Sequence, residues 1–272
     1  MNIKLKLGVT VTFTALFVVF HHAAHSANGL KPAPEGMALV PAGEFLMGST
    51  QQEVDAVKKE FSGRALYKDY PFEAETPKRK VNLKAFYIDA YEVTNRKYAE
   101  FIKKTGHIPP QNWSGVNFPA DSPDNPVLFV SKDDAEAYAK WDHKRLPTEE
   151  EWEKAARGTD GRIFPWGNQF EPDKAATADS SLEFIEHGLC RVGTANRVGG
   201  APGDVSPYGV YGMAGNVREW TSTPDPAHND MCVVKGASWV DLHITARAAY
   251  REMVPIESRS HIISFRCVRD AE

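Results

Sequence analysis

Cysteine is scarce in this chain, and its scarcity excludes several kinds of site. Three cysteines occur among 272 residues, Cys190, Cys232 and Cys267, and no two of them form a CxxC pair. A zinc ribbon and a c-type haem attachment site both need such a pair, so neither is expected. An odd number also leaves at least one thiol outside any intramolecular disulfide. Cys190 and Cys232 could form a bridge, or both could be free buried thiols that pack as small apolar side chains.

An excess of positive charge is also missing. The chain carries 32 Lys and Arg residues against 36 Asp and Glu residues, which gives a formal net charge of −4. Proteins that bind nucleic acid usually present a basic surface to the phosphates. We therefore expect no nucleic-acid partner.

A long apolar run is the third missing feature. The main run, residues 7–20, has 14 residues, whereas a membrane-spanning helix needs about 20. Two lysines precede this run, and small residues follow it at Ala24, Ser26 and Ala27. This order is typical of a secretory signal peptide. We predict a cleaved signal over residues 1–27 and a periplasmic or secreted protein with no membrane contact after cleavage, with an uncleaved anchor as the alternative.

The rest of the chain has the pattern of one mixed domain. Residues 28–36 contain two prolines and predict an extended lead-in to a domain over residues 37–272. Apolar alternation predicts a hairpin over residues 37–47, and strand-type alternation returns over residues 81–93. Residues 51–74 are charged and show no clear period, so we expect an irregular segment there.

Three helices are indicated by a capping residue followed by apolar residues at helical spacing. Their expected caps, in chain order, are Thr94, Ser131 and Thr148. An acidic residue follows each of the last two after three positions, which completes a capping-box pattern. After Gly158 the helical period stops, and frequent Gly and Pro predict loops and short strands. Together these patterns predict an α+β domain with little regular secondary structure.

Several segments together resemble the formylglycine-generating enzyme family, also called the sulfatase-modifying factors. They occur in the family's order, and their joint match is far more specific than any one of them. The segments are MALVPAGEFLMG (37–48), FYIDAYEVTN (86–95), RLPTEEEWEKAARG (145–158), FPWGN (164–168), SPYGVYGMAGNVREWT (206–221), KGASW (235–239) and SFRC (264–267). The resemblance implies a variant of the C-type-lectin fold, which agrees with the expected α+β domain.

The resemblance also indicates which chemistry is missing. Enzymes of this family hold monovalent copper between two cysteines, and soft sulfur ligands select that ion. Alignment of KGASW without gaps places the two positions at Asp241 and Ala246, neither of which offers sulfur. Arg218 replaces a tryptophan of the family's oxygen pocket, whereas the pocket serine is retained as Ser238. We therefore predict a divergent exported member that does not generate formylglycine.

A structural calcium site is a further implication of the resemblance. Its ligands would correspond here to the carbonyl oxygens of Gly215 and Val217 and to the carboxylate of Glu219. Calcium accepts such a mixture of oxygen ligands. However, the family usually has a side-chain oxygen where this chain has Gly212. The alternative is that the backbone N–H groups of a tight loop satisfy Glu219.

The space left by the two cysteines could hold other chemistry. If the residues after Trp239 continue as a strand, Asp241 and His243 project to one face. There they could act as an acid/base pair or hold a divalent metal. Together with Ser238 and Arg218 they are the candidate catalytic residues. The competing interpretation is a surface strand whose polar side chains face water.

Two functions are compatible with these residues. The first is a periplasmic maturation or tailoring protein, in the manner of an oxidoreductase acting on a peptide-like or small-molecule substrate, because the family's groove binds an extended peptide. The second is a non-catalytic lectin-fold module for binding or assembly in the cell envelope, because its thiols are lost. A catalyst is expected to place the four candidate side chains around one pocket.

Overall fold

The structure is a computed structural model that describes residues 31–62, 70–180 and 195–271. The predicted signal peptide and Cys190 lie outside these ranges. The strands are β1 Met37–Val40, β2 Gly43–Met47, β3 Arg79–Leu83, β4 Phe86–Asp89, β5 Arg218–Pro224, β6 Met231–Lys235, β7 Arg251–Pro255, β8 Ile263–Ser264 and β9 Val268–Asp270. The α-helices are α1 Gln51–Glu60, α2 Asn95–Thr105, α3 Lys132–Trp141 and α4 Glu149–Arg157. In the described ranges, no helix combines the length and apolarity that crossing a membrane would need.

The three predicted helices are confirmed as α2, α3 and α4. Their caps Thr94, Ser131 and Thr148 each accept a hydrogen bond from the backbone N–H three residues later. Gly106 ends α2 with a φ of 73°, a left-handed conformation that residues with a Cβ rarely adopt. The helices turn their apolar faces inward, and Trp152 of α4 has no exposed surface. Local capping signals therefore predicted these elements well.

Residues 51–60 form α1, so the expectation of an irregular segment is wrong there. Thr50 and Glu53 form a capping box, in which each side chain accepts a hydrogen bond from the other residue's backbone N–H. This signal is visible in the sequence, but the apolar period behind it is weak because Val54 is the one buried residue of α1. Most of α1 lies at the surface.

The strands β1 and β2 do not pair with each other, so the predicted hairpin over residues 37–47 is wrong. β1 pairs antiparallel with β4, whereas β2 pairs antiparallel with β3. The reason is burial, because all four residues of β4 are buried. Val40 of β1 and Phe86 of β4 are register partners and share one apolar cluster with Trp152. A distant strand thus offers β1 more apolar contact than its neighbour in the chain.

The largest sheet of the described chain positions the candidate site. Its strand order is β7-β6-β5-β8, in which β5 pairs antiparallel with β6 and parallel with β8. Successive residues of a strand point to opposite faces. Arg218 and Glu219, the first two residues of β5, are therefore directed into two different parts of the interior.

Candidate functional site

The candidate site forms where β5 meets the turn that follows β6. Ser238 and Asp241 lie in this turn, and Asp241 Oδ2 accepts hydrogen bonds from Ser238 N at 2.8 Å and Ser238 Oγ at 2.6 Å. Arg218 completes the group, since its Nε and Nη2 donate to the two oxygens of Asp241 at 3.0 and 2.8 Å. The fold therefore brings together three of the four predicted catalytic residues.

Arg218 is fully engaged in this group. Its Nη1 donates to a carboxylate oxygen of Glu252 in β7. Arg218 and Asp241 are each 8% exposed, so the pair is shielded from water. Burial alone would lower the pKa of Arg218, but Asp241 and Glu252 raise it above its ordinary value. All three guanidinium nitrogens donate to carboxylates, and the side chain is held as a permanent cation.

His243 does not join this group, which corrects the predicted Asp241–His243 pair. The residues after Trp239 form successive turns rather than a strand, with backbone hydrogen bonds that span three residues. Without strand alternation, the two side chains have different partners. His243 Nδ1 lies 2.9 Å from Asp179 Oδ1, and its Nε2 lies 3.2 Å from Glu60 Oε1. Burial alone would lower the pKa of His243, but these two carboxylates raise it.

Ala246, at which the resemblance implies the second cysteine of the family, is part of the apolar interior. Its side chain has no exposed surface and belongs to a small cluster with Phe164, Ala214 and Ala237. Asp241, at the first position, is occupied by Arg218 and by its own turn. Neither position therefore offers a ligand to a soft metal ion.

Glu219 lies on the other face of β5, in a second buried ion pair. Its Oε2 accepts hydrogen bonds from Arg266 Nε at 2.7 Å and Trp152 Nε1 at 2.9 Å, and its Oε1 accepts from Arg266 Nη2 at 2.7 Å. Glu219 and Arg266 have no exposed surface. The alternative to the calcium site, in which the backbone N–H groups of a tight loop satisfy Glu219, is therefore wrong. Its place in a paired strand commits nearby N–H groups to the sheet, and side chains supply the donors.

Two further carboxyl groups lie near this ion pair, and the sequence patterns did not identify them. Glu92 Oε1 accepts from Asn216 Nδ2 at 2.8 Å, and Asp204 Oδ2 accepts from the backbone N–H groups of Ala214 and Gly215 at 2.8 and 3.1 Å. The second oxygen of each carboxyl is buried without a hydrogen-bond partner, although Glu92 Oε2 lies 3.8 Å from Arg266 Nη2, within ion-pair distance. Burial raises the pKa of Glu92 and of Asp204 to about 7. Both residues lie in loops, where acidic side chains usually face water, so no local pattern indicated their burial.

The implied calcium ligands meet part of what that ion needs. Gly212 offers no side-chain oxygen, and a Cβ at this position would lie 3.0 Å from an oxygen of Glu92. The carboxylate of Glu219 already has three donors, and the carbonyl of Gly215 accepts from Val217 N at 3.0 Å. Calcium takes about six to eight oxygen ligands. In the described ranges, no three His, Cys, Asp or Glu side chains converge as a metal site. Calcium stays a prediction of the resemblance, and the geometry fits an internal ion pair better.

The two cysteines of the described ranges do not replace the missing pair. Cys232 and Cys267 are buried free thiols. Burial raises the pKa of Cys232 to about 11 and that of Cys267 well above its ordinary value. A metal needs the thiolate form, so both side chains act as small apolar groups. The proposed partner of Cys232, Cys190, lies outside the described residues.

Comparisons with known proteins agree with the sequence segments. A family model described as the sulfatase-modifying factor enzyme 1-like domain matches residues 23–271. The chain is similar to the inactive C-alpha-formylglycine-generating enzyme 2 of Mus musculus, with 31% identity and 86% of each chain covered. It is also similar to the formylglycine-generating enzyme of Bos taurus, with 29% identity over 92% of this chain and 79% of that one.

A solved structure gives the fold. PvdO from Pseudomonas aeruginosa superposes with a TM-score of 0.64 and 22% identity, over 86% of this chain and 94% of that one. The α+β domain has the variant C-type-lectin-like fold predicted from the sequence. The matched model, the two relatives and the fold agree, and the chain belongs to the sulfatase-modifying factor family, which contains formylglycine-generating enzymes and inactive members.

Proposed function

We propose that this protein is a non-catalytic member of its family, a module that binds a peptide-like ligand in the cell envelope after export. The proposal depends on one observation, the Arg218–Asp241 ion pair at the place where the resemblance puts the first copper ligand. Two positions at which the chain departs from the family pattern have become partners of each other. All three nitrogens of Arg218 and both oxygens of Asp241 are used within the fold.

Copper chemistry lacks its ligands at this place. Monovalent copper prefers sulfur, whereas a carboxylate is a hard oxygen ligand and a methyl group is no ligand. Asp241 and Ala246 occupy the two positions, and Ala246 has no exposed surface. The purified protein is therefore expected to bind no monovalent copper tightly.

Acid–base catalysis by the candidate residues also lacks a free group. A general base must reach the proton that it removes, but Asp241 already accepts from Arg218 and Ser238. Ser238 Oγ donates its proton to that same carboxylate, and His243 contacts two other carboxylates instead. These contacts count against the competing function, a periplasmic tailoring enzyme in the manner of an oxidoreductase.

The relatives do not choose between the two functions by similarity alone. The inactive relative is 31% identical and the formylglycine-generating enzyme 29% identical, which is nearly the same. The site chemistry supports the non-catalytic proposal instead. The signal-like pattern of residues 1–27 supports export, and the family's peptide groove supports a peptide-like ligand.

The first test measures the family's own chemistry. The mature protein is mixed with monovalent copper and a peptide carrying a sulfatase-type cysteine, and mass spectrometry then follows the peptide. We expect no stoichiometric copper uptake and no aldehyde. The formylglycine-generating enzyme of Bos taurus is the positive control, and aldehyde formation by the present protein would overturn the proposal.

The second test separates binding from any other catalysis. The double variant Arg218→Gln/Asp241→Asn removes both charges together, so that no buried charge is left alone. Expressed in a host that lacks the native gene, the double variant is expected to complement the deletion as well as the unaltered protein does at equal abundance. If the double variant stays folded and abundant but fails to complement the deletion, the result would support the tailoring enzyme instead.

A further inference from the structure

A pocket of about 220 Å³ lies beside α1, away from the Arg218–Asp241 pair. One wall is made by Glu53, Ala56, Val57 and Glu60, whose spacing of three and four residues places them on one helix face. Ala56 and Glu60 are exposed, so the pocket opens to solvent along the helix. We call this space the α1 pocket.

The two arginines that line the α1 pocket are already paired inside the protein. Arg247 donates to both carboxylate oxygens of Glu75 and to the carbonyl of Ile244. Arg157 donates to Glu153 at 2.8 Å and to three backbone carbonyls. Both arginines are almost completely buried. Neither guanidinium is free to receive an anionic ligand.

The two carboxylates of the α1 pocket are paired as well. Glu53 accepts from the backbone N–H and the hydroxyl of Thr50 and also receives the ammonium group of Lys78. Glu60 contacts the ring of His243 at 3.2 Å. A cationic ligand would therefore have to compete with existing partners. The charges of the pocket favour an uncharged occupant.

Ser49 also lines the pocket, but its hydroxyl donates to Glu75 at 2.8 Å. The surface that remains for a ligand is aliphatic, from Ala56, Val57, Ile163 and Ala249. An apolar cavity of about 150 Å³ is large enough to hold benzene. We propose that the α1 pocket receives one uncharged aliphatic or aromatic side chain of a peptide partner. The peptide as the source of this side chain rests on the proposed function. A charged side chain is disfavoured because it would lose hydration and find both arginines and Glu53 held by internal partners. Glu60, whose side chain is 60% exposed, is the carboxylate at which a cation could compete, which is why a lysine probe is needed as the comparison.

Nuclear magnetic resonance titration of the mature protein tests this site. The probe is N-acetylphenylalaninamide, with N-acetyllysinamide as the charged comparison and benzene as a free apolar molecule. We expect saturable shifts of the Val57 and Ile163 methyl signals with the phenylalanine probe, and none with the lysine probe. Absence of saturable shifts with the phenylalanine probe would overturn the proposal. This includes the case in which benzene binds and the phenylalanine probe does not.

Two matched variants locate the binding. Ala56→Leu narrows the mouth of the α1 pocket and is expected to weaken probe binding by roughly tenfold, which corresponds to about 1.4 kcal/mol. Gln52→Leu adds the same side chain to an exposed, uncharged position of α1 outside the pocket and is expected to leave binding unchanged. Equal effects of the two variants would contradict the proposed location. Failure here leaves the copper and aldehyde results unaffected, so the two proposals are judged separately.

Discussion

Two adjacent residues of β5 each form a buried ion pair, on opposite faces of the strand. Arg218 on one face pairs with Asp241, and Glu219 on the other face pairs with Arg266. The first pair lies where the chain departs from the family pattern, and the second lies where it matches that pattern. The altered positions form the more completely satisfied network, because Asp241 accepts four hydrogen bonds through its two oxygens.

We call Arg218, Asp241 and Glu252 the first cluster, and Glu219, Arg266, Glu92 and Asp204 the second cluster. The balance of charge explains the difference between them. In the first cluster the additional carboxylate, Glu252, keeps 33% of its side chain exposed, so water screens its charge. In the second cluster Glu92 and Asp204 are almost completely buried, and each has one oxygen without a hydrogen bond, so that Arg266 is shared between Glu219 and Glu92. Water cannot solvate the negative charge of these buried carboxylates. The protonated forms are therefore favoured, and the pKa values of Glu92 and Asp204 are raised. The comparison teaches that the buried charges of the first pair are more fully hydrogen-bonded than those of the second pair beside it.

The largest effect is expected from Arg266→Met. The substitution leaves Glu219 buried without its cation, and breaking a buried pair from one side costs about 3–5 kcal/mol. For a domain of this size the Tm should fall by roughly 10 °C. Arg269→Met is the matched control, because Arg269 is exposed and a surface change usually alters stability by less than about 0.5 kcal/mol. Similar Tm values for the two variants would show that the stability of the fold does not depend on the pairing of Glu219 with Arg266.

Arg218→Gln is expected to cost somewhat less, about 3 kcal/mol, because Glu252 can be hydrated after the change. Asp241→Asn should cost a similar amount, since it leaves the guanidinium of Arg218 with one carboxylate fewer. The double variant should be less destabilised than the sum of the two, which urea denaturation of all four proteins would measure. Additive losses would mean that the two side chains do not stabilise each other, and the comparison of the clusters would fail.

The pH dependence of stability distinguishes the second cluster from the first. The pKa of Glu92 is raised to about 7 from 4.5, so the folded protein binds the proton more tightly than the unfolded chain does. The stabilisation that the protonated Glu92 gives the folded state is complete below pH 4.5. It declines as the pH rises to about 7 and is absent above that pH. The loss amounts to roughly 3 kcal/mol if the whole shift acts on folding.

Glu92→Gln should reduce the slope of this part of the stability curve, because glutamine resembles the protonated acid and does not ionise. Part of the slope should remain, since the pKa of Asp204 is also raised to about 7. Urea denaturation between pH 4.5 and 8 would measure the difference from the unaltered protein. Glu257→Gln, at an exposed position, is the control and should keep the slope. An unchanged slope in Glu92→Gln would show that this carboxyl is not the group that titrates.

The smallest effect is expected from calcium. The loop of Gly215 and Val217 lacks a side-chain oxygen at Gly212, and Glu219 is already paired, so chelation should leave the Tm unchanged. Thermal unfolding with EDTA and then with excess calcium would measure this. A ligand that binds only the folded state raises stability with its concentration. A reproducible rise with calcium would support the calcium site implied by the resemblance and would place a cation in the second cluster.

Helices with both a capping signal and a clear apolar period were predicted well, whereas α1, which has a capping box but a weak period, was missed. Elements that depend on distant partners were also not predicted. The caps Thr94, Ser131 and Thr148 act on residues three positions away, so their helices follow from the local sequence. A period of two predicts a strand but not its partner, and the hairpin over residues 37–47 therefore failed. The strand considered after Trp239 does not form. Successive backbone turns place the polar side chains there, and a polar alternation cannot exclude turns.

The amino-acid sequence by itself determined the three capped helices and the family, because each of these depends on residue identity or on neighbours in the chain. The tertiary structure alone decided that Arg218 and Asp241, 23 positions apart, neutralise each other. It also decided that Glu92 meets Asn216 across 124 positions. Such contacts arise when strands and loops pack together, and the energy of a buried charge depends on every group around it, which no local pattern contains.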